Sequence, residues 1–161
     1  MWNIVDPYPA YLSFREQVLK GNLSLHQCLL YSELKLHVDE VNSEKRLTYT
    51  IFDGNIPKGI LQIAMNGWEN DILYFQLGIA IGNEYRNKGI GYEISQKGIN
   101  EFIYNMQVAK VQKLGIEAVV SKSNIASQKL AAKIFHNTPN EIIDKYSGEE
   151  ALQYEFIVTW K

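Results

Sequence analysis

Hydrophobic residues follow a helical repeat near the start of the chain and alternate in the manner of strands from Leu47 onward. Tyr11, Phe14 and Val18 recur on one helical face, and Gly21 offers a stop after them. This pattern predicts an N-terminal helix that packs one face against the rest of the protein.

A second helix is predicted directly after the first. Ser24 and Gln27 have the spacing of a capping box, in which the two side chains satisfy free amides at a helix start. The stripe expected to face inward consists of Leu25, Cys28, Leu29 and Leu36. We therefore expect residues 1–46 to be N-terminal helices, and residues 47–161 to form the core of the same single domain.

Three strands are predicted next. Residues 47–52 alternate between apolar and polar positions, as a half-buried strand does. Residues 53–59 form a hairpin connection, and the chain returns through residues 60–65. A polar turn over residues 66–71 leads into residues 72–81. That last segment is almost continuously apolar, which indicates a central strand covered on both faces.

An amphipathic helix is predicted after Gly91. Ile94, Gly98, Phe102 and Met106 recur at helical spacing. A glycine within such a stripe favours close packing of the helix on a sheet. We expect Gly98 to mark that contact.

The last third of the chain predicts strand, helix and strand. Gly115 precedes a short strand over residues 116–120, and Ser123 or Asn124 can cap the following helix. Residues 151–160 form a final strand, with which residues 142–146 pair. The order of elements predicts a mixed α/β domain with one largely antiparallel sheet flanked by helices.

Composition sets limits on function. A chain of 161 residues with 46% hydrophobic and 21% charged residues is typical of one globular domain. The net charge of −2 argues against nucleic acid as a partner. Cys28 is the only cysteine, so an internal disulfide is excluded, and a buried structural role is expected for it. No apolar run is long enough to predict a membrane span, and we expect a cytoplasmic protein with no bound metal.

The segment over residues 79–91 carries the clearest chemical signal. An apolar strand runs into Arg86-x-x-Gly89-x-Gly91, and a helix follows directly. Free N–H groups and the dipole at a helix start attract anions, and glycine lets a phosphate approach the main chain. Arg86 and Lys88 would add cationic donors. The alternative is a plain strand-to-helix turn. Neither the triphosphate loop nor the dinucleotide Gly-x-Gly-x-x-Gly pattern is present.

A second motif lies downstream, where a strand is followed by Asn124-x-x-Ser127 and a helix. With both motifs in this order, the chain resembles the GNAT superfamily of acetyl-CoA-dependent N-acetyltransferases from Leu47 to the C-terminus. The sequence around both motifs is most similar to the branch of the family that acetylates polyamines and protein N-termini, including those of ribosomal proteins.

The resemblance implies roles for particular residues. Main-chain groups of one strand would bind the pantetheine arm of acetyl-CoA: Ile79, Ala80 and Ile81. Amides of the loop would hold its diphosphate: Arg86, Asn87, Lys88, Gly89, Ile90 and Gly91. Asn124 and Ser127 would flank the cofactor from the neighbouring strand and helix. The N-terminal segment would lie on the side of the amine acceptor.

Two catalytic positions of the family hold other residues in this chain. The resemblance implies a tyrosine acid where Ala131 stands and a glutamate base where Val119 stands. Glu117 lies on the same strand face as Val119 and is the candidate base, acting through water. The alternative for Glu117 is a carboxylate at a strand end in solvent. His136 is either an acid or base or a helix-end residue.

Residues on neighbouring segments offer weaker candidates for the acceptor site. Tyr74 and Gln76 either contact the acceptor or pack within the sheet, and Tyr85 and Tyr92 are interpreted as packing residues. Trp68 and Glu69 either border the acceptor groove or are simply exposed.

Three functions therefore stay open. The first is transfer of acetyl from acetyl-CoA to a small-molecule or peptide amine by direct attack in a ternary complex. The second is a non-catalytic CoA-binding module, and the third is a toxin that acts on aminoacyl-tRNA. A homodimer through residues 154–160 is expected if that strand lies at a sheet edge.

Overall fold

The computed structural model describes residues 6–160. Its helices are α1 (Tyr8–Leu19), α2 (Ile90–Val108) and α3 (Ile125–Phe135), with a 3₁₀ turn at Asn83–Tyr85. The strands in chain order are β1 (His26–Gln27), β2 (Leu34–Val41), β3 (Glu44–Asp53), β4 (Ile56–Pro57), β5 (Gly59–Glu69), β6 (Ile72–Ile81), β7 (Lys113–Ser121), β8 (Asn140–Ile143) and β9 (Glu150–Thr159).

These strands form one sheet in the order β1-β2-β3-β5-β6-β7-β9-β8, with β4 paired to β3. Neighbours are antiparallel except for β6 and β7, which are parallel. The predicted mixed α/β architecture with a largely antiparallel sheet flanked by helices is confirmed.

The helices cover both faces of the sheet. On one face, α2 and α3 bury Phe102 and Phe135 against a large apolar core that includes Leu61. On the other face, α1 buries Tyr11 against Ile60. Because consecutive strand residues point to opposite faces, the neighbours Ile60 and Leu61 report the two layers directly.

The first predicted helix is confirmed as α1, but the second is wrong. Leu34 and Leu36 belong to β2, which pairs along its whole length with β3, and His26–Gln27 pairs with β2 in turn. Apolar residues spaced two apart suit a strand, and the long hairpin with β3 outweighs the capping-box pattern. Cys28 is buried as expected, although not in a helix. Only α1 is therefore helical among residues 6–46.

Three strand predictions need correction. Residues 48–51 of β3 are buried in succession, so both faces of that strand are covered. The turn predicted over residues 66–71 is confined to Asn70 and Asp71, because β5 continues to Glu69. The strand that contains Gly115 runs from Lys113 to Ser121. The strand paired with β9 is Asn140–Ile143, so it overlaps the predicted residues 142–146 only at Ile142 and Ile143.

Gly98 explains how α2 lies on the sheet. A Cβ at this position would stand 2.6 Å from a methyl carbon of Leu61 and 3.4 Å from the Tyr49 side chain. The predicted close contact is confirmed. It brings the helix against β3 and β5 and fixes its first turn at the end of β6.

Candidate functional site

A gap opens in the middle of the sheet between β6 and β7. The two strands are paired from Leu73 with Leu114 to Gln76 with Glu117, and their register ends there. β6 continues to Ile81 with its other edge bonded to β5. In an antiparallel pair, alternate residues direct their N–H and C=O groups away from the partner strand. Residues 77–81 therefore present main-chain donors and acceptors to the gap.

The start of α2 lies at the far end of this gap. Gly89 caps the helix with a φ of 77°, and the first intrahelical bond runs from the Glu93 N–H to the Gly89 carbonyl. The N–H groups of residues 90–92 therefore have no bond within the helix. The space beside Gly89 is open, since a Cβ there would meet no atom within 4 Å. These features match the predicted anion cradle.

Gly91, unlike Gly89, allows close packing between two helices. A Cβ at Gly91 would stand 3.2 Å from a methyl carbon of Leu130 on α3. The missing side chain lets the first turn of α2 lie against α3. The start of α2 thus packs against the middle of α3.

The two basic residues of the loop are more constrained than expected. Arg86 donates from Nε to the Ile81 carbonyl at 3.1 Å, and its guanidinium lies 5.0 Å from the centre of the Tyr8 ring. Lys88 donates to the Glu84 carbonyl at 3.0 Å. Both side chains thus hold the loop in shape, and the Ile81 carbonyl already accepts one hydrogen bond from Arg86.

Asn124 has a defined structural role. Its side-chain oxygen accepts a hydrogen bond from the Ser127 N–H at 3.1 Å and so caps α3. The motif therefore fixes the start of α3 beside the end of β7. Both residues stand at the start of the helix that follows β7.

Glu117 is buried, and the expectation of a carboxylate in solvent is wrong. Its residue is 1% exposed, and it occupies the last position at which β7 pairs with β6. Asn66 donates to one carboxylate oxygen, and Gln153 donates to the other at 3.3 Å. Glu117 therefore stands where the gap begins, with hydrogen bonds to each oxygen.

A row of side chains leads to Glu117 across the sheet. Arg46 is opposite Ala64, Ala64 is opposite Gln76, and Gln76 is opposite Glu117. Directly opposed residues point to the same face, and successive strands lie about 4.8 Å apart. The row thus spans roughly 14 Å on the face away from α2.

A cleft of about 290 Å³ follows part of this row. The hairpin between β2 and β3 forms one wall, and Gln62, Ala64, Gln76 and Gly78 form its floor. Gly78 lies just beyond the last pair of β6 with β7, so the cleft reaches the gap. The wall includes Glu44, Lys45 and Arg46, and Arg46 forms a two-point ion pair with Asp39.

Other predicted residues fall outside this arrangement. Trp68 is 71% exposed and does not line the cleft. His136 is an exposed residue that ends α3 in a left-handed conformation, as the helix-end interpretation expected. Ala131 and Val119 are buried apolar residues, so neither supplies an acid or base.

Tyrosines near the gap are held by packing and hydrogen bonds. The Tyr74 ring lies over Gly115, where a Cβ would come within 2.5 Å of it. Burial raises the pKa of Tyr74, with added contributions from Glu155, Glu69 and Glu117. Tyr85 donates to Asp53 at 2.9 Å.

Sequence reasoning missed Asn66, Gln62 and Gln153 as parts of the site. The Asn66-Gly67 pair inside a strand is a usable signal, because glycine within a strand often marks a bulge. Gln153 is one of few polar residues in an apolar strand, but nothing in the sequence names its partner. No group of three or more His, Cys, Asp or Glu among residues 6–160 is arranged to hold a metal ion.

Comparison with known families decides the class of the protein. The acetyltransferase (GNAT) domain family matches residues 17–134. The chain belongs to this family. GNAT domains use acetyl-CoA as acetyl donor, which agrees with the gap and helix starts described above. Comparison with curated protein sequences gave no match.

Solved structures of GNAT acetyltransferases share the fold. A ribosomal L7/L12 α-N-protein acetyltransferase, RimL, is similar with a TM-score of 0.58 and 12% identity over 83% of this chain and 95% of that one. The spermidine/spermine N-acetyltransferase SpeG from Vibrio cholerae gives 0.53 and 12% over 72% and 68%. A GNAT acetyltransferase from Streptococcus pneumoniae gives 0.52 and 18% over 70% and 67%. At these identities the likeness concerns the fold.

Within residues 6–160, no helix is both long and apolar enough to cross a bilayer.

Proposed function

We propose that this GNAT domain is an N-acetyltransferase that moves the acetyl group of acetyl-CoA to a primary amine of a small molecule or peptide. The observation that carries the proposal is the gap between β6 and β7, which has a helix start at one end and a buried carboxylate at the other. The gap offers main-chain bonds to an extended arm, and the start of α2 offers free N–H groups to a diphosphate.

The fit to acetyl-CoA rests on the main chain. N–H groups of residues 90–92 would hold the diphosphate, and the edge of residues 77–80 would bond the pantetheine arm. Gly89 leaves the cradle open, and Asn124 and Ser127 would border it from the start of α3. When bound, acetyl-CoA supplies an acetyl group activated as a thioester.

The amine acceptor would approach through the cleft, which lies on the face of the sheet away from α2. The cleft reaches Gly78 at the gap, and Gln76 lies beside Glu117. The amine nitrogen forms a bond to the acetyl carbonyl carbon, the C–S bond breaks, and the sulfur leaves as a thiolate. The proton released by the amine passes to Glu117, directly or through water. Holding both partners in one site removes much of the entropic barrier.

Glu117 fills the role of base that Val119 cannot supply. Position 131 holds an alanine in place of the family's tyrosine acid, so the thiolate takes its proton from solvent. Much of the rate would then come from positioning and from N–H groups near the developing oxyanion.

Titration calorimetry with acetyl-CoA tests the cofactor site. A Gly89→Glu variant would place a carboxylate in the diphosphate cradle, and we expect binding to fall by at least about tenfold. Gly148→Glu is the matched control, because Gly148 also has a positive φ, of 74°, and open space around it. Equal affinity for acetyl-CoA in the wild type and the Gly89→Glu variant would contradict the proposed site.

Thiol release from acetyl-CoA over a panel of peptides, polyamines and other amines tests the activity. The buried apolar residues Ala131 and Val119 favour a second candidate, a CoA-binding module without turnover. Sustained release with any amine rejects that candidate. Binding of acetyl-CoA without release across the panel rejects the transferase.

A further inference from the structure

Glu117 belongs to a cluster of side-chain amides and carboxylates that the transfer reaction itself does not require. Gln153 on β9 donates from Nε2 to Glu117 at 3.3 Å and to Glu155 at 3.2 Å. Its amide oxygen accepts from Asn140 on β8 at 2.8 Å. Every polar atom of the Gln153 amide is therefore used, and the residue is 2% exposed.

The direction of the Gln153 amide follows from its neighbours. Glu117 and Glu155 are directly opposed on β7 and β9, so two carboxylates converge on Gln153. With the amide reversed, its oxygen would face both carboxylates and its NH₂ group would face the Asn140 donor. The donor orientation alone satisfies all three contacts. Asn140 thus fixes how Gln153 presents its N–H groups.

Asn66 completes the cluster from the other side, and a bulge in β5 brings it there. Met65 pairs with Phe75 and Trp68 pairs with Leu73, which leaves Asn66 and Gly67 opposite Tyr74 alone. Gly67 adopts a φ of 86°, a conformation that suits glycine. The bulge lets Asn66 donate across β6 to Glu117.

We propose that Gln153 and Asn66 are positioning residues that keep the Glu117 carboxylate ionised and fixed at the start of the gap. The inference rests on the proposed function, in which Glu117 accepts the amine proton. A carboxylate with so little exposure needs hydrogen bonds to stay charged, and these two amides supply one to each of its oxygens.

The titratable groups that face Glu117 set the background for a pH test. Glu155 lies opposite it on β9, and the Tyr74 hydroxyl on β6 is influenced by Glu117, Glu155 and Glu69. Gln153→Met adds and removes no charge, so a change in the titration of Glu117 in that variant reports the loss of its donor.

Gln153→Met removes both donors and keeps the length of the side chain. We expect kcat to fall by about tenfold at neutral pH and the acid limb of the kcat/KM profile to move up by about one pH unit. Acetyl-CoA affinity should be unchanged. Gln107→Met, at an exposed position of α2, is the matched control and should behave as wild type.

Asn140→Asp separates positioning from packing, because it leaves Gln153 in place. A carboxylate at position 140 cannot donate to the Gln153 oxygen and attracts its NH₂ group away from Glu117. We expect this variant to share the shift of the acid limb, whereas Asn140→Ala should show a smaller one. A purely structural role for Gln153 predicts lower stability with an unchanged pH profile in the uncharged variants Gln153→Met and Asn140→Ala, and that result would overturn the inference.

A measurement independent of turnover distinguishes this inference from the proposed function. Carbon NMR of protein labelled at glutamate Cδ follows the Glu117 carboxylate directly, with Glu117→Gln identifying its signal. We expect the Glu117 signal to titrate at higher pH in Gln153→Met than in wild type. Titration at the same pH in both refutes the positioning role, whether or not any amine is acetylated. A lack of thiol release with the expected NMR shift refutes the proposed transferase only.

Discussion

Glu101 should be the most costly single carboxylate to remove from this domain. It lies on α2, is 1% exposed, and accepts hydrogen bonds from the Leu29 N–H at 2.6 Å and the Leu30 N–H at 2.9 Å. These two amides belong to the loop between β1 and β2. One side chain thus ties the loop to the helix that carries the proposed cofactor site, and Glu101→Ala cuts both ties.

The expected cost can be worked from these contacts. A hydrogen bond to a charged group contributes about 1.5 kcal/mol or more, so two bonds give about 3 kcal/mol. Alanine returns about 0.4 kcal/mol through its higher helix propensity. We expect the free energy of unfolding to fall by about 2.5 kcal/mol. With a urea m-value of about 2.5 kcal/mol/M, the midpoint moves down by about 1 M.

Urea unfolding followed by tryptophan fluorescence and circular dichroism measures this shift. Glu16→Ala is the matched control, since it also replaces a helical glutamate but one that forms an exposed ion pair with Lys20. That control should leave the midpoint nearly unchanged. Equal midpoints for the wild type and Glu101→Ala would refute the idea that the carboxylate holds the loop.

Two further outcomes concern the buried thiol of Cys28 and the floor of the cleft at Ala64. Burial, with a smaller effect of Glu101, raises the pKa of the Cys28 thiol to about 12. At pH 8, iodoacetamide should therefore alkylate the folded protein about a thousandfold more slowly than the urea-unfolded chain. A native rate within tenfold of the unfolded rate would contradict this. Ala64→Trp should fill the floor of the cleft and lower kcat/KM for the amine at least about tenfold, with acetyl-CoA affinity unchanged. The control Ala109→Trp, at an exposed helix end, should have no effect. An unaltered kcat/KM in Ala64→Trp would exclude the cleft as the acceptor route.

The strongest sequence patterns predicted the centre of the fold. The continuous apolar run of residues 72–81 is β6, and the helical stripe through Gly98 is α2. Both patterns are long, and a long apolar run or a long helical stripe is typical of only one kind of buried element. The start of α3 at Asn124 was predicted as well, because a cap is a local interaction between residues three apart.

The N-terminal third was misjudged for a reason that lies in the pairing of strands. Leu25, Cys28, Leu29 and Leu36 suit a helix by spacing, yet β2 gains its hydrogen bonds from β3, and no local pattern reports that partner. The local preference of a segment for a helix is overridden where a distant strand supplies both its backbone hydrogen bonds and a buried face.

The local geometry on the cofactor side was predicted from the sequence, whereas the binding roles assigned to its residues stay predictions. The loop at Gly89 and the cap at Asn124 are contiguous motifs, whereas the surroundings of Glu117 come from β5, β8 and β9. Asn66, Asn140 and Gln153 are brought together by a bulge and two strand pairings. Burial of Glu117 depends on these distant partners, so statistics for single carboxylates gave the wrong expectation.

The outer edge of β9 keeps the prediction of a homodimer open to test. β8 pairs with β9 only over residues 150–153, so residues 154–159 extend beyond it. Light scattering of the purified protein would report the oligomeric state.

The parting of β6 from β7 also bears on how the protein avoids unwanted association. An exposed strand edge normally invites another polypeptide to extend the sheet, and proteins protect such edges with charges, proline or covering loops. Here the edge lies inside the sheet, between two strands that are joined at one end by the pairs up to Gln76 and Glu117. Strands of the same sheet thus flank this edge on both sides, and we expect that arrangement to hinder a second sheet from pairing with it.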